Sequence, residues 1–335
     1  MLDRSGTLDV VLRAGRLAPV ATIRIVTFHR IAEPAGDEPY DPDVVDATPA
    51  QFRRHVETLA RIGTPIGLNT LFGALDGGPL PPSPVMLTFD DGYRSCRDVA
   101  LPVLRELGVP ATCFIATGFC GQPRLYWWEK IAALLHQARG RSATLAYPAP
   151  LLVDASDPGA RRLLNDLVKD TPGLDLERFL AELRAVLDVP WSPKLEAALA
   201  RPLIMTWDDI RALADAGIEI GSHTRNHRVL ETLGTDELRD ELAGSRRDLE
   251  NQLGREVRAI AYPVGRRPPA AVRRAVAEAG YRVGLTNASG VNHVWPSALR
   301  RVFTLDRFSI RRLSTERTLS DAMFRTQLAI PALAF

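Results

Sequence analysis

The chain has 335 residues, 46% of them hydrophobic and 24% charged, with a formal net charge of +2. That length and composition suit a globular protein with a sizeable buried core, either one large α/β barrel or two domains. The near-neutral balance and the lack of a long basic block argue against nucleic acid as a partner, and no run of about 18 apolar residues offers a transmembrane helix.

Residues 1–21 carry scattered charges and read as an N-terminal extension. They lack the apolar core of a signal peptide, so a cytoplasmic location is expected, with contact to a membrane surface through residues 8–20 as a secondary reading. Ile23 to Phe28 is β-branched and reads as a first strand, ending at His29. A polar loop rich in Pro and Asp runs from Glu33 to Thr48. Phe52, Val56 and Leu59 then recur at helical spacing, which predicts a helix over 49–62. Val85 to Phe89 reads as the second strand. A helix over 98–107 stopped by Gly108 and a buried strand over 111–116 follow. Strands alternating with helices imply parallel βα units.

From about 121 to 202 the pattern changes to helices without a strand repeat, which reads as a helical insertion. Thr206 is placed to cap a helix over 206–216, with Asp208 and Asp209 complementing its dipole. A strand over 218–222, a helix over 235–253, a strand over 259–263, a helix over 270–279 and a strand over 281–286 complete the series. His55 and His136 fall on predicted helices and read as surface residues. Cys96, Cys113 and Cys120 are odd in number and read as reduced thiols, not a disulfide framework, and without a CxxC pair Cys113 and Cys120 do not read as zinc ligands.

Two motifs carry chemistry. Thr88-Phe89-Asp90-Asp91-Gly92-Tyr93 sets adjacent carboxylates at a strand end, where they repel each other and call for a counter-charge. An Asp-Gly turn accounts for Asp91 alone and not for the whole run. His223-Thr224-Arg225-Asn226-His227 sets two imidazoles four residues apart just after a strand. Two histidines and one carboxylate can hold a divalent metal and leave a position for water. A second carboxylate beside them can take that water's proton. These are the parts of a metal-dependent hydrolase.

The two motifs resemble those of the polysaccharide deacetylase family, the NodB-homology domain of carbohydrate esterase family 4, over roughly residues 22–120 and 203–306. The resemblance implies an α/β fold: a NodB-like distorted (β/α) barrel over 22–310 with a helical insertion at about 121–202, followed by a C-terminal tail over 311–335. It implies Asp90 as the base and Asp91, His223 and His227 as ligands of a divalent metal. Zinc suits that set, with cobalt, nickel, iron or manganese as substitutes. At the family's third motif the chain reads Ala261-Tyr262-Pro263-Val264-Gly265, so Ala261 stands where the family has an arginine partner for the base. The Val264 backbone N–H takes the place of the oxyanion donor.

No Leu-x-x-His segment near the C-terminus supplies a general acid. Thr27-Phe28-His29-Arg30 instead resembles the branch similar to exopolysaccharide poly-N-acetylglucosamine deacetylases, which implies His29 as the acid. His293 is an alternative. Tyr93, Tyr262 and Arg301 are candidate substrate contacts, and Trp127 and Trp128 read as anchors of the inserted helix. The implied function is removal of the N-acetyl group from an N-acetylated amino sugar or polysaccharide precursor, with release of acetate. The expected partner is that sugar or glycan. Two alternatives stand: a hydrolase of another non-peptide carbon–nitrogen bond, and a non-catalytic glycan-binding relative. The missing motif residues favour the second, and the intact Asp-His-His set opposes it.

Overall fold

The structure, a computed structural model, describes residues 21–33, 36–264, 267–294, 305–315 and 320–329. Seven parallel strands close into a barrel: β1 (Ala21–Phe28), β2 (Pro84–Phe89), β3 (Ala111–Ile115), β4 (Glu219–Ser222), β5 (Ala259–Ala261), β6 (Val283–Ser289) and β7 (Ile310–Ser314). Around the ring they run β1-β7-β6-β5-β4-β3-β2, and β2 pairs back onto β1 with Arg24 opposite Val85 and Phe28 opposite Phe89. This is the expected α/β barrel.

Period-two alternation along the strands sorts the apolar residues to two sides. Ile23, Ile25, Met86, Phe114 and Ile310 pack together in the barrel interior, against Leu68, Leu71 and Phe72 of the helix Leu68–Leu75. That helix closes the amino-terminal end of the barrel, where its Leu68 amide donates to Glu219, the first residue of β4. The alternate residues, among them Val26, Phe28, Leu87, Phe89 and Leu313, pack against the outer helices.

Capping boxes open two of those helices, Thr48 with Gln51 for Pro49–Ile62 and the expected cap Thr206 with Asp209 for Trp207–Asp215. His55 corrects an expectation. It is not a surface residue but 1% exposed, and its ring stacks on Phe324 of the helix Asp321–Ala329 at 4.0 Å. Burial pulls its pKa down to about 4. Its place in the apolar stripe with Phe52, Val56 and Leu59 is the signal that marks it as buried.

The insertion is helical at Trp127–Gln137, Ala160–Asp170, Leu176–Val186 and Pro193–Ala200. It also carries an antiparallel hairpin, Ser142–Leu145 with Leu151–Asp154, which the sequence pattern does not reveal because only Leu145 and Val153 of it are well buried. Its core, with Leu134, Leu164, Phe179 and Leu183, is continuous with Tyr93, Ala116 and Phe119, which follow β2 and β3. The expected domain end at 310 is also corrected: β7 runs to Ser314, and Phe324 and Leu328 beyond it join the outer core. Residues 311–315 and 320–329 therefore pack with the barrel and its outer core. All three cysteines are buried and free. Among the described residues no helix is long and apolar enough to cross a membrane.

Candidate active site

The motif residues gather at the carboxyl ends of the barrel strands, the end where barrel enzymes place their chemistry. His29 follows β1, Asp90 and Asp91 follow β2, His223 follows β4, and Tyr262 to Val264 follow β5. Strand register brings them together. Phe28 lies opposite Phe89, so His29 and Asp90 emerge side by side, with the Asp90 amide donating to the Phe28 carbonyl at 2.9 Å. Ile115 lies opposite Ser222, and the His223 amide donates to the Ile115 carbonyl at 2.8 Å. His293 does not join them. It pairs with Thr22 near the start of β1, seven residues and roughly 20 Å of extended strand away from His29.

Asp91 Oδ1 lies 3.3 Å from His223 Nε2 and 3.4 Å from His227 Nε2. The three candidate ligand atoms sit within 4.8 Å of one another, and all three residues are buried. His223 Nδ1 lies 2.9 Å from the Ala261 carbonyl, which places a ring proton on Nδ1 and turns Nε2 towards Asp91. Asp91 Oδ1 and, beside it, Asp90 Oδ2 are buried without a hydrogen-bond partner. Carboxylate oxygens placed so are costly unless a cation joins them. The residues present therefore fit a divalent metal. Burial pushes the Asp91 carboxyl up, but the His223 and His227 rings hold it well below the usual carboxylate range. Burial pushes the His227 imidazole down, against the pull of Asp91, towards the neutral form that ligates metal.

Backbone strain collects here too. Six non-glycine residues among those described have left-handed φ, and four of them are Asp91 (71°), Thr224 (63°), His227 (52°) and Val264 (57°). Each such conformation costs about 1–3 kcal/mol, which surrounding structure must offset.

Ala261 has no charge to offer Asp90, and an arginine from another strand reaches it instead. Arg312 of β7 donates from Nη1 to Asp90 Oδ1 at 2.7 Å, with the Arg312 and Asp90 side chains 1% and 0% exposed. The guanidinium is fixed by Thr27 Oγ1 at 3.0 Å, the Thr286 carbonyl at 3.1 Å and Asn287 Oδ1. Burial alone would raise the Asp90 carboxyl; the Arg312 charge, with help from His223 and His29, holds it below its ordinary value. Arg301, expected as a substrate contact, lies outside the described residues.

His29 has a partner that the sequence reading missed. Its backbone N–H and its Nδ1 both meet Asp46 Oδ2, the ring contact at 3.1 Å, and Asp46 is fully buried. Burial lowers the His29 pKa, but Asp46, with Asp91 and Asp90 adding, raises it to about 10. The ring is thus oriented through Nδ1, with Nε2 left for other work.

Two expected substrate contacts are turned inward. Tyr93 is 1% exposed, and its hydroxyl donates to Glu129 Oε1 at 2.7 Å while accepting from Trp128 Nε1 at 2.8 Å. Tyr262 is also 1% exposed and donates to the Phe308 carbonyl at 3.1 Å. Enclosed rings with satisfied hydroxyls offer no face to a sugar. Trp128 does anchor the insertion. It stacks on Tyr126 at 4.7 Å and packs against the His227 ring at 4.5 Å. Tyr126 in turn donates to the Asp91 carbonyl at 2.8 Å. The first turn of the inserted helix thus buttresses two of the candidate ligands.

The sequence profile of a family described as Polysaccharide deacetylase matches residues 77–150 and 180–284. A protein named as a polysaccharide deacetylase, YxkH of Bacillus subtilis (strain 168), is 31% identical over 86 residues; the aligned stretch is 26% of this chain and 30% of that protein. Among solved structures, the Streptococcus pyogenes deacetylase PplD in complex with acetate superimposes with a TM-score of 0.58 at 19% identity, covering 92% of this chain and 99% of that one. IcaB from Ammonifex degensii superimposes with a TM-score of 0.54 at 16% identity, covering 94% and 98%. At such identities these two structures speak to the fold alone.

Proposed function

This chain belongs to the polysaccharide deacetylase family, and from that premise we propose that it is a metal-dependent hydrolase that removes the N-acetyl group from an N-acetylated amino sugar or polysaccharide precursor. The observation that carries the proposal is the buried Asp91–His223–His227 cluster with the Arg312-held Asp90 beside it, at the carboxyl end of the barrel. A divalent metal held by Asp91, His223 and His227, zinc by the chemistry of the donor set, would supply a Lewis acid for the acetamide oxygen and a lowered pKa for water.

The chain's own residues do the rest. Asp90 accepts the proton of water as the water oxygen bonds to the acetyl carbon. Its Oδ2 is available for this, since Oδ1 is engaged by Arg312. The Val264 N–H donates to the oxyanion that develops. His29 gives a proton to the nitrogen as the carbon–nitrogen bond breaks, so the products are acetate and a free amine. Its raised pKa keeps the ring protonated at neutral pH, the form an acid needs, and Asp46 holds it in place.

Acetate release from N-acetylglucosamine oligomers and from nucleotide-linked N-acetylated sugars tests the proposal. Release is expected from the metal-loaded protein, to be lost on dialysis against a chelator and restored by zinc. Turnover of a non-acetyl amide or imide, with none of any N-acetylated sugar, would move the reaction to another carbon–nitrogen bond at the same site.

A further inference from the structure

The span between the two imidazoles, Thr224-Arg225-Asn226, has no helical or strand structure, and left-handed backbone stands at Thr224 and at His227. Side-chain-bearing residues do not rest in that conformation unaided. The Ser222 hydroxyl and the Thr117 and Gly118 amides bond this span, and its two central amides are held by Glu241, a buried residue 5% exposed. Its Oε2 accepts from the Arg225 N–H at 2.9 Å and the Asn226 N–H at 2.7 Å, and its Oε1 accepts from Asn226 Nδ2 at 2.8 Å. We infer that Glu241 is a positioning residue that sets the metal affinity of the site by fixing the span between His223 and His227. The inference rests on the reading of Asp91, His223 and His227 as ligands.

Local sequence is arranged around this contact. Glu241 lies in a π-helical turn, Asp240–Gly244, between the helices Thr235–Arg239 and Ser245–Leu253. Such turns insert one residue into a helix and often mark functional sites, and one residue is about 100° of helical rotation, enough to turn a side chain onto or off a neighbouring loop. Ser245 bonds the Glu241 carbonyl at 2.7 Å and the Ser222 hydroxyl at 2.8 Å, which ties the turn to the residue before His223. Gly244 leaves room for Arg225: a Cβ there would stand 2.8 Å from Arg225 Cζ. Arg225 uses that room to reach Asp240 at 2.7 Å and Asp248 at 2.8 Å. Asn226 is held from the other side, since its Oδ1 accepts from Arg124 at 2.6 Å, so its amide group must point at Glu241.

That fixed amide makes the inference testable. Zinc affinity of the full chain is measured by competition with a chromophoric chelator, alongside thermal unfolding of the metal-free protein. Glu241→Gln turns an amide nitrogen towards Asn226 Nδ2, donor against donor. Zinc affinity is expected to fall by about 10–100-fold, the range for groups that orient metal ligands, while the metal-free protein still unfolds cooperatively. Adding Asn226→Asp gives the new amide an acceptor and keeps the partner of Arg124, and most of the lost affinity is expected to return. Wild-type affinity in folded Glu241→Gln, or a loss that Asn226→Asp does not restore, overturns the inference. If Glu241→Gln does not fold, Asn226→Ala decides: weaker zinc binding supports the clamp and unchanged binding refutes it. A wild-type protein that holds no zinc or substitute metal refutes the ligand assignment itself, whereas a zinc-binding wild type with an unaffected variant refutes the clamp alone.

Discussion

Replacing Asp90 by Asn is expected to lower kcat by about 10²–10⁴-fold, the contribution of a positioned general base, with the metal still bound. The two carboxylates of the motif have separate surroundings. Asp91 faces both imidazoles at 3.3 and 3.4 Å, while Asp90 stands 3.9 Å from His223 and is engaged by Arg312. An amide at position 90 keeps the shape and can still accept from Arg312, but it takes no proton from water. The ligand set is untouched. Some stability is lost as well, because the Arg312 charge loses its counter-charge. Acetate release and metal content measured on the same sample check this. An unchanged kcat would remove Asp90 from the role of base.

Arg312→Met is expected to act on both stability and pH dependence. The substitution leaves Asp90 buried and unpaired, and breaking a buried ion pair from one side costs about 3–5 kcal/mol. The sign of the pH effect follows from the charge removed. Burial pushes the Asp90 carboxyl up and Arg312 is the first influence holding it down, so its loss raises that pKa. A base works in its ionised form, and activity falls as pH drops through its pKa. The acid limb of the kcat/KM profile therefore moves to higher pH, and the defect is largest in acid. Arg312→Lys keeps the charge but not the fork that reaches Thr286 and Asn287, and should fall between. Denaturant unfolding and a pH–rate profile check both parts. An acid limb that stays where it was would mean that Arg312 does not govern Asp90.

The difference between what the sequence shows and what it hides is a difference between local and distant contacts. Asp90 with Asp91, and His223 with His227, are legible because each pair is contiguous and sits just after an apolar strand. His29 is legible for the same reason. Arg312 is not: it meets Asp90 across 222 residues of sequence, and it falls in the stretch from 311 that is expected to be a C-terminal tail. Only barrel closure turns Arg312 inward. Asp46 hides among the aspartates of a polar loop, and Glu241 among the acids of a charged helix whose π-turn has no sequence signature. Tyr93 and Tyr262 were expected at the sugar because they stand next to motif residues. Adjacency in sequence does not set direction, and both rings turn into cores, Tyr93 that of the insertion and Tyr262 the outer core beneath the helices.

The most direct measurement is the metal content of the purified protein, wild type against His223→Ala, after reconstitution with zinc. His223 is the best-oriented member of the cluster, its ring held through Nδ1 by the Ala261 carbonyl. The wild type is expected to hold about one equivalent of divalent metal, as a three-ligand site with an open position does, and His223→Ala to hold little or none. A wild type that binds neither zinc nor a substitute metal, or a His223→Ala variant that binds as much as the wild type, would contradict the assignment of Asp91, His223 and His227 as the metal centre.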